Sequence, residues 1–341
     1  MTQSLEMPVN RTATAVSGTP SSSTIESFPE QALPSMPTLA LGAKPQRSLW
    51  SNAWRQFRKH KLAMAGLITF VFLLLATFIG SPLYPQEIDG IDFSVSGSGI
   101  SMAHPMGTDS MGQDILARIL WGGRISLAVG IVAALIAILV GTAIGSVAGF
   151  FGGPADTLLM RLTDLFISLP QIPLLLVISF LYRPVFYEFF QKRTGSGATG
   201  VFVMIVLVIG LLNWMPTSRL VRASFMSTKE KEFIEAARSI GATRGSQMFR
   251  HILPNVMSPI IVAATLGVGA AIIAESALSF LGLGFPSDIP TWGSMLYEAK
   301  DRFELAPHEA IFPGMMIFLT VLSVNYIGDG LRDALDPRKT L

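Results

Sequence analysis

The chain of 341 residues contains no cysteine and few charged side chains. The absence of cysteine excludes disulfides, thiolate metal sites and cysteine nucleophiles. Charged residues make up 14% of the chain and hydrophobic residues 50%, whereas soluble domains carry about 25% charged residues. The formal net charge is only +2, so there is no bulk signal for nucleic-acid binding. This composition is typical of a protein that crosses a membrane several times.

Motifs for common chemistry are also missing. No G-x-x-x-x-G-K-[ST] pattern is present, so the sequence offers no P-loop with which to bind ATP. The histidines are scattered and follow no metal-ligand spacing; they are His60, His104, His251 and His308. We therefore expect no catalytic residue, no metal site and no cofactor bound by this chain, and we predict that it is not an enzyme.

The N-terminal segment is rich in Ser, Thr and Pro and lacks the apolar stretch of a signal peptide. Such a segment cannot bury enough apolar surface to become ordered, so we expect residues 1–47 to form a disordered cytoplasmic tail. A basic cluster precedes the first apolar run and consists of Arg55, Arg58, Lys59 and Lys61. The positive-inside rule places this end in the cytoplasm.

Six apolar stretches are candidates to cross a hydrocarbon core of about 30 Å as helices. They are predicted at residues 62–80, 125–150, 157–182, 201–216, 256–281 and 311–327. In the second stretch, Gly141, Gly145 and Gly149 form overlapping G-x-x-x-G units, which favour close approach of another helix. In the third, Pro170 and Pro173 predict a kink.

These spans divide the chain into an N-terminal region with the first span (48–81), an exported loop (82–120), a five-helix domain (121–330) and a cytoplasmic C-terminal tail (331–341). The exported loop is acidic, since residues 81–117 contain Asp and Glu but no Lys or Arg. Residues 183–199 fit less well, because they are expected outside yet carry Arg183, Lys192 and Arg193 against Glu188. Six spans place both termini on the same side of the membrane.

The most polar long segment of the second half, about 227–255, lies between the fourth and fifth predicted spans. Around it, residues 219–250 are strongly basic, which marks the segment as cytoplasmic. Residues 227–230 (Ser-Thr-Lys-Glu) fit a capping box that begins a helix. One apolar stripe is predicted on this helix, formed by Phe233, Ala236, Ala237 and Ile240.

The same segment is predicted to bend and form a second helix. Gly241 suits the left-handed conformation that follows a helix. Thr243 can cap the next helix, which Pro254 ends. The apolar residues expected on one side of this helix are Met248, Phe249, Ile252 and Leu253.

The spacing E-A-A, three residues, Gly, nine residues, H-I-L-P at 235–254 resembles the EAA loop in the membrane subunits of type I ABC importers. His251 stands where that pattern has Ile, a position at which C-type peptide permeases tolerate polar residues. The segments 48–66, 104–130, 276–284, 290–296 and 327–338 resemble the oligopeptide/dipeptide (peptide/nickel) C-subunit family. The resemblance covers residues 48–341.

This resemblance implies an all-α integral membrane protein with six transmembrane helices and the type I (MetI-like) permease fold, located in the bacterial cytoplasmic membrane. It implies a second permease subunit, two ABC ATPase subunits that use ATP and Mg, an extracytoplasmic substrate-binding protein, and surrounding membrane lipid. The implied cargo is a di- or oligopeptide or a related small solute. In that family the EAA loop docks on the ATPase, and the matching residues here are Glu235, Ala236, Ala237, Gly241, Leu253 and Pro254. A re-entrant or surface amphipathic helix without a partner is the alternative.

Three further sets of polar residues are candidates for function. Glu275 lies in the fifth span, where a charge is costly; it could line the translocation path, bond between helices or pair with an arginine of the companion subunit. Asp109 and Asp114 could contact the binding protein, while Thr108 or Asp109 could cap a helix leading into the second span. Arg161 and Asp164 are expected to form an ion pair within one helix.

Two other classes of function remain open at this point. An ion-coupled secondary transporter would need paired ionisable groups at mid-membrane or inverted repeats, and only Glu275 is a candidate for the former. A non-transporting membrane scaffold would not need so specific a cytoplasmic helix–Gly–helix segment.

Overall fold

The computed structural model describes residues 49–286 and 288–335, and their secondary structure is helical apart from one isolated bridge between Thr108 and Asp114. The predicted tail at 1–47 and residues 336–341 lie outside this part of the chain. Five helices of the described ranges are long and apolar enough to cross a membrane, and a bent helix pair brings the number to six if it counts as one span.

The first span follows the short helix α1 (Leu49–Lys59) and is built from α2 (Lys61–Leu75), a π-helical turn (Ala76–Gly80) and α3 (Ser81–Leu83). His60 caps α2, because its Nδ1 accepts a hydrogen bond from the Ala63 amide at 3.1 Å. The loop that follows contains one 3₁₀ turn (Phe93–Val95) and ends at Asp114. At residues 84–114 it is eight residues shorter than the exported loop predicted at 82–120.

Helix α4 (Ile115–Phe151) forms the second span and is ten residues longer at its start than predicted. It is followed by α5 (Gly153–Ser168) and α6 (Gln171–Thr194), so the predicted third span at 157–182 is wrong. Leu169 separates the two helices with ψ of 135°, since a residue before proline is pushed out of the helical region. The proline pair thus ends one helix and begins another, and the third span is α6.

Helix α6 also includes most of the segment predicted as an outer loop at 183–199. It ends at Gly195, whose φ is 75°, and α7 (Gly197–Leu211) begins two residues later. Helix α7 and α8 (Met215–Lys229) are bent by 44° and together form the broken span. Residues 219–229 of the predicted basic segment (219–250) are thus part of α8.

The remaining helices complete the bundle. Helix α9 (Glu232–Ser239) is followed by α10 (Arg244–Ser246), a π-helical turn (Gln247–Ile252) and α11 (Leu253–Asn255). The fifth span is α12 (Met257–Phe280), and α13 (Trp292–Ala299) and a 3₁₀ turn (Lys300–Arg302) lead to the last span, α14 (His308–Leu335). The last span reaches into the predicted tail at 331–341.

The glycines of α4 bring its backbone against α8, as their spacing predicts. A Cβ atom added at Gly141 would lie 2.6 Å from the Thr217 Cβ, and one added at Gly149 would lie 2.7 Å from the Arg222 carbonyl oxygen. One added at Gly145 would clash with the Ser218 carbonyl oxygen. A larger residue at any of the three positions would force the helices apart.

The two ends of the bundle are held by different contacts. At one end, Phe57 of α1 and Ala63 of α2 form a buried cluster with Ala334 of α14. At the other end, the fully buried Trp292 of α13 donates its indole N–H to the Ile119 carbonyl oxygen at 3.1 Å. With six spans that cross the membrane in alternating directions, the first of these ends lies on the same side of the membrane as α9. The second lies on the same side as the loop at 84–114.

Candidate functional site

Helix α9 does not begin with the predicted capping box. Helix α8 continues through Lys229, and the Ser227 hydroxyl donates back to the Ser224 carbonyl oxygen at 3.1 Å. The break falls at Lys231, which has an extended ψ of 147° and makes no side-chain capping bond. The connection from the bent span to α9 is therefore only two residues long.

The residues that anchor α9 also differ from the predicted stripe. Ile234 and Ala237 are 1% and 5% exposed, while Phe233, Ala236 and Ile240 face outward. Ile234 packs in one cluster with Val221 and Phe225 of α8, Ile138 of α4 and Ile260 of α12. The anchored face thus contacts three spans, and of the predicted stripe only Ala237 belongs to it.

The turn after α9 follows the prediction closely. Gly241 has a φ of 87°, the Ala242 amide donates to the Ala237 carbonyl oxygen at 3.0 Å, and the Gly241 amide donates to the Arg238 carbonyl oxygen at 3.0 Å. This is a Schellman motif, which requires a left-handed residue after the helix. Thr243 then caps α10 by accepting from the Ser246 amide at 3.3 Å.

The segment after the turn is helical as predicted, although part of it is π-helical. Ile252 is fully buried, and Met248 and Leu253 pack against the same cluster as Ile234. Phe249 is 62% exposed, so it does not share the packed side of Met248, Ile252 and Leu253 as predicted. Pro254 has no amide to donate, and the helix ends one residue after it, at Asn255.

The matched residues of the EAA pattern therefore divide by role. Ala237 and Leu253 pack against the bundle and Gly241 forms the turn, whereas Glu235, Ala236 and Pro254 are exposed and make no such contribution. The exposed apolar residues next to them form what we call the coupling surface, which comprises Phe233, Ala236, Ile240 and Phe249. In the sequence, only the apolar character of these residues was visible; which of them point outward depends on how α9 is anchored.

Ion pairs tie α5 to α8 next to this segment. Arg222 donates to both carboxylate oxygens of Asp156, with Nη2 at 2.6 Å from Oδ2. These hydrogen bonds lower the pKa of Asp156 below its ordinary value. Asp164 pairs with Arg219 at 2.5 Å, so the predicted ion pair between Arg161 and Asp164 is wrong. The reason is that α5 packs beside α8, which offers Asp164 a partner on another helix.

Glu275 is enclosed inside the chain, with 0% exposure. Its Oε1 accepts from the Ser279 hydroxyl at 2.8 Å, and its Oε2 lies 3.3 Å from the Ser126 hydroxyl of α4. Ser126 also accepts from the Trp292 amide at 3.3 Å, which links α4, α12 and α13. These contacts support the interhelical alternative, and a role in the translocation path stays a prediction.

The outer aspartates make internal contacts. Asp114 is 3% exposed; its Oδ1 accepts from the Ala117 amide at 2.8 Å and thereby caps α4, so the predicted caps Thr108 and Asp109 are wrong. Its Oδ2 lies 2.9 Å from His104 Nδ1 and 3.3 Å from the Tyr84 hydroxyl. Burial, assisted by the charge of Asp114, raises the pKa of Tyr84 to about 12.

Asp109 belongs to a second outer network. Its Oδ2 lies 2.5 Å from Arg118 Nη1, and Arg118 Nη2 lies 2.9 Å from Glu298 of α13. Burial raises the pKa of Glu298, although Arg118 opposes the effect. Contact of Asp109 and Asp114 with a binding protein stays a prediction, and of the two only Asp109 keeps appreciable exposed surface.

Comparison with known proteins identifies the family. A family model described as "Binding-protein-dependent transport system inner membrane component" matches residues 141–341, and one described as "N-terminal TM domain of oligopeptide transport permease C" matches residues 48–97.

Curated relatives match nearly the whole chain. A "Glutathione transport system permease protein GsiD" of Pectobacterium atrosepticum is 41% identical over 298 residues, which cover 86% of this chain and 93% of that protein. A "Dipeptide transport system permease protein DppC" of Alkalihalophilus pseudofirmus is 39% identical and covers 85% of this chain and 90% of that protein.

A solved structure of the MetNI methionine ABC transporter in inward-facing conformations has a TM-score of 0.43 at 16% identity, with 64% of this chain and 96% of that chain covered. The family matches favour a permease over the ion-coupled transporter and the scaffold. The predicted helical membrane fold is confirmed, and the chain belongs to the family of inner membrane components of binding-protein-dependent transport systems, as a permease subunit of an ABC importer.

Proposed function

We propose that this subunit, together with a second permease subunit, forms the path for a di- or oligopeptide or a related small solute such as glutathione. The named cargoes of the relatives, glutathione and dipeptides, support this substrate class. Two separate ABC ATPase subunits use ATP and Mg, an extracytoplasmic binding protein delivers the cargo, and this chain performs no chemistry. Both termini face the cytoplasm of a bacterial inner membrane.

The main support for a role in coupling to the ATPase is that α9 has one face anchored to the spans and one face exposed. Ile234 and Ala237 hold the helix to three spans, while Ile240 is 86% exposed and Phe233 is 41% exposed. Isolated exposed apolar residues are common, but several on one short helix beside an EAA pattern indicate a protein contact. We infer that this coupling surface docks on the ATPase.

A cavity beside the bend between α7 and α8 is our candidate location for the translocation path. A mainly apolar cavity of about 280 Å³ lies where α4, α8 and α12 meet, and Asn213 and Pro216 of the bend line it. Small residues form much of the rest of its wall, among them Ala134, Gly267 and Ala270. Small side chains leave room for a solute, so we place the path along this face, and Glu275 is not among its lining residues.

The docking proposal is tested by Ile240→Ser, with Leu305→Ser as its matched control. Leu305 is 84% exposed in the outer segment between α13 and α14. Since both residues are almost fully exposed, neither substitution opens a cavity in this chain. If Ile240 is an interface anchor, its loss weakens ATPase binding about tenfold or more.

The measurement is co-purification of the ATPase with the full chain, followed by uptake into proteoliposomes. We expect Ile240→Ser to lose both ATPase and ATP-dependent uptake, and Leu305→Ser to retain the ATPase. Normal ATPase retention by Ile240→Ser would contradict the docking surface. Uptake driven by a proton gradient without ATP would contradict the importer mechanism itself.

A further inference from the structure

A basic cavity lies beside the coupling surface, at the point where the spans meet the polar segment. Its volume is about 600 Å³, and it is bounded by the end of α4, the end of α8, α9 and the segment that follows the Gly241 turn. Its lining residues are Phe150, Phe151, Lys229, Ile234, Arg238, Arg244 and Gln247. The cavity thus lies between the end of α4 and the consecutive segment that runs from the end of α8 to Gln247.

The charge of this cavity is unbalanced. Lys229, Arg238 and Arg244 line it, no carboxylate does, and within the described chain none of the three lies within 4.0 Å of a carboxylate oxygen. The charge of Lys229 helps to lower the pKa of the nearby Asp156 carboxyl group. Both oxygens of that carboxylate, however, already accept hydrogen bonds from Arg222. Three converging cations repel one another, and an anion placed between them relieves that repulsion.

The donors of the cavity suit an anion with several oxygens. The two guanidinium groups each offer planar pairs of N–H donors that match phosphate oxygens. Lys229 Nζ lies 3.3 Å from the Gly149 carbonyl oxygen, which leaves two of its three protons free to bind. Gln247 is 4% exposed, and its side-chain amide donates to the Ala242 carbonyl oxygen at 2.7 Å, so that wall is fixed.

The position of the cavity points to the source of the anion. Phe150 and Phe151 end the membrane-spanning helix α4, and Phe151 is 52% exposed. The cavity therefore has cations on one side and, on the other, an aromatic wall at the end of a membrane-spanning helix. Basic pockets of this kind, between spans at the membrane surface, bind the headgroups of anionic lipids.

We propose that the cavity lined by Lys229, Arg238 and Arg244 binds a phosphate-bearing anion, and that its source is an anionic phospholipid headgroup in the adjacent leaflet. The bound lipid would brace α9 against the ends of α4 and α8. This site lies beyond the proposed transport function, because it needs neither the cargo nor the ATPase to form.

The test uses the full chain in detergent micelles, titrated with phosphatidylglycerol or phosphatidylcholine and followed by native mass spectrometry. The variant is Arg238→Gln with Arg244→Gln, which removes two charges but keeps side chains of good helix propensity. The matched control is Lys192→Gln with Arg193→Gln, two exposed cations in the last turn of α6 that do not line the cavity. At about 1 kcal/mol per basic residue near a lipid surface, the first variant loses roughly 30-fold in affinity for phosphatidylglycerol.

The proposal is supported if wild type and control prefer phosphatidylglycerol and the cavity variant does not, with all three melting at similar temperatures in detergent alone. Equal weakening in both variants, or no preference for phosphatidylglycerol in wild type, overturns it. Inorganic phosphate that binds wild type equally well without lipid overturns the lipid source and assigns a soluble ligand.

A second arm separates this site from the coupling surface. If the cavity variant retains phosphatidylglycerol binding but no longer co-purifies the ATPase, the arginines belong to the protein interface and the lipid proposal is wrong. Since lipid binding is measured without ATPase or cargo, failure of the transport proposal would leave this result unaffected.

Discussion

Gly241 allows a test of whether backbone conformation alone holds the turn after α9. Its φ of 87° lies in the left-handed region, and, apart from the adjacent residues, no atom of the described chain lies within 4 Å of the position a Cβ would take. Gly241→Ala therefore adds no steric clash with the rest of the chain. The cost is the conformational penalty of a left-handed alanine, about 1–2 kcal/mol.

Gly245 provides the matched control in the same segment. It lies in α10, has no positive φ, and also has open space where its Cβ would be. Gly245→Ala should stabilise the segment by about 0.5–1 kcal/mol, because alanine loses less backbone entropy in a helix. The two variants thus differ in backbone conformation and not in added bulk.

Hydrogen exchange of the peptide that covers residues 232–246, measured in the full chain in nanodiscs, reports local opening of this turn. Loss of 1–2 kcal/mol should accelerate exchange of the Gly241 and Ala242 amides roughly 5–30-fold. Gly245→Ala should leave the rate unchanged or slow it. The same rate in Gly241→Ala and wild type, or acceleration in both variants, would refute the reasoning.

Three further predictions follow from contacts elsewhere. Gly145→Ala should lower the melting temperature, because overpacking between α4 and α8 costs about 1–3 kcal/mol. Gly267→Ala should not lower it, because the nearest neighbour of its Cβ would lie at an ordinary 3.6 Å. Equal melting temperatures of the two variants would contradict the close helix contact. The lowered pKa of Asp156 means that its pair with Arg222 stabilises the fold above the ordinary value of 3.8 and is lost as the pH falls through the lowered pKa. Asp156→Asn should therefore melt at a lower temperature than wild type near pH 7, and the difference should shrink below about pH 4. Glu275→Gln keeps a carbonyl acceptor for the neighbouring hydroxyls and should retain uptake within about threefold; complete loss with normal folding would favour a charge in the path.

Features set by local stereochemistry were predictable from the sequence. The glycine spacing in α4, the left-handed Gly241 and the Thr243 cap each depend on a few neighbouring residues, and the structure has all three. The break at Leu169 was predictable in the same way, because a residue before proline avoids the helical region. The span was instead placed by average hydropathy, which runs continuously across the end of α5 and the start of α6.

Features set by tertiary contacts were not predictable. On α9, the buried face includes Ile234 in place of Phe233, and these neighbouring positions point about 100° apart around the helix. Hydrophobicity does not distinguish these choices, because the outcome depends on the cluster formed by α4, α8 and α12. The same limit applies to the cap of α4, for which Asp109 and Asp114 are chemically equivalent and only the folded loop selects Asp114.

If an ATPase docks on the coupling surface as we propose, the anchoring of α9 determines which helices it can move. To slide α9 alone, the ATPase would have to pull Ile234 from its cluster, which costs about 1.5–3 kcal/mol for that side chain before the loss of its neighbours' packing. Between α4 and α8 the glycines leave almost no side-chain layer, so these helices cannot shift past each other by changes of side-chain rotamer. Packed interiors resist such deformation and transmit strain. A displacement applied at the coupling surface is therefore expected to carry α8 and α4 together with α9. The 44° bend at the start of α8, where α7 ends, is then the place where this span can absorb the movement.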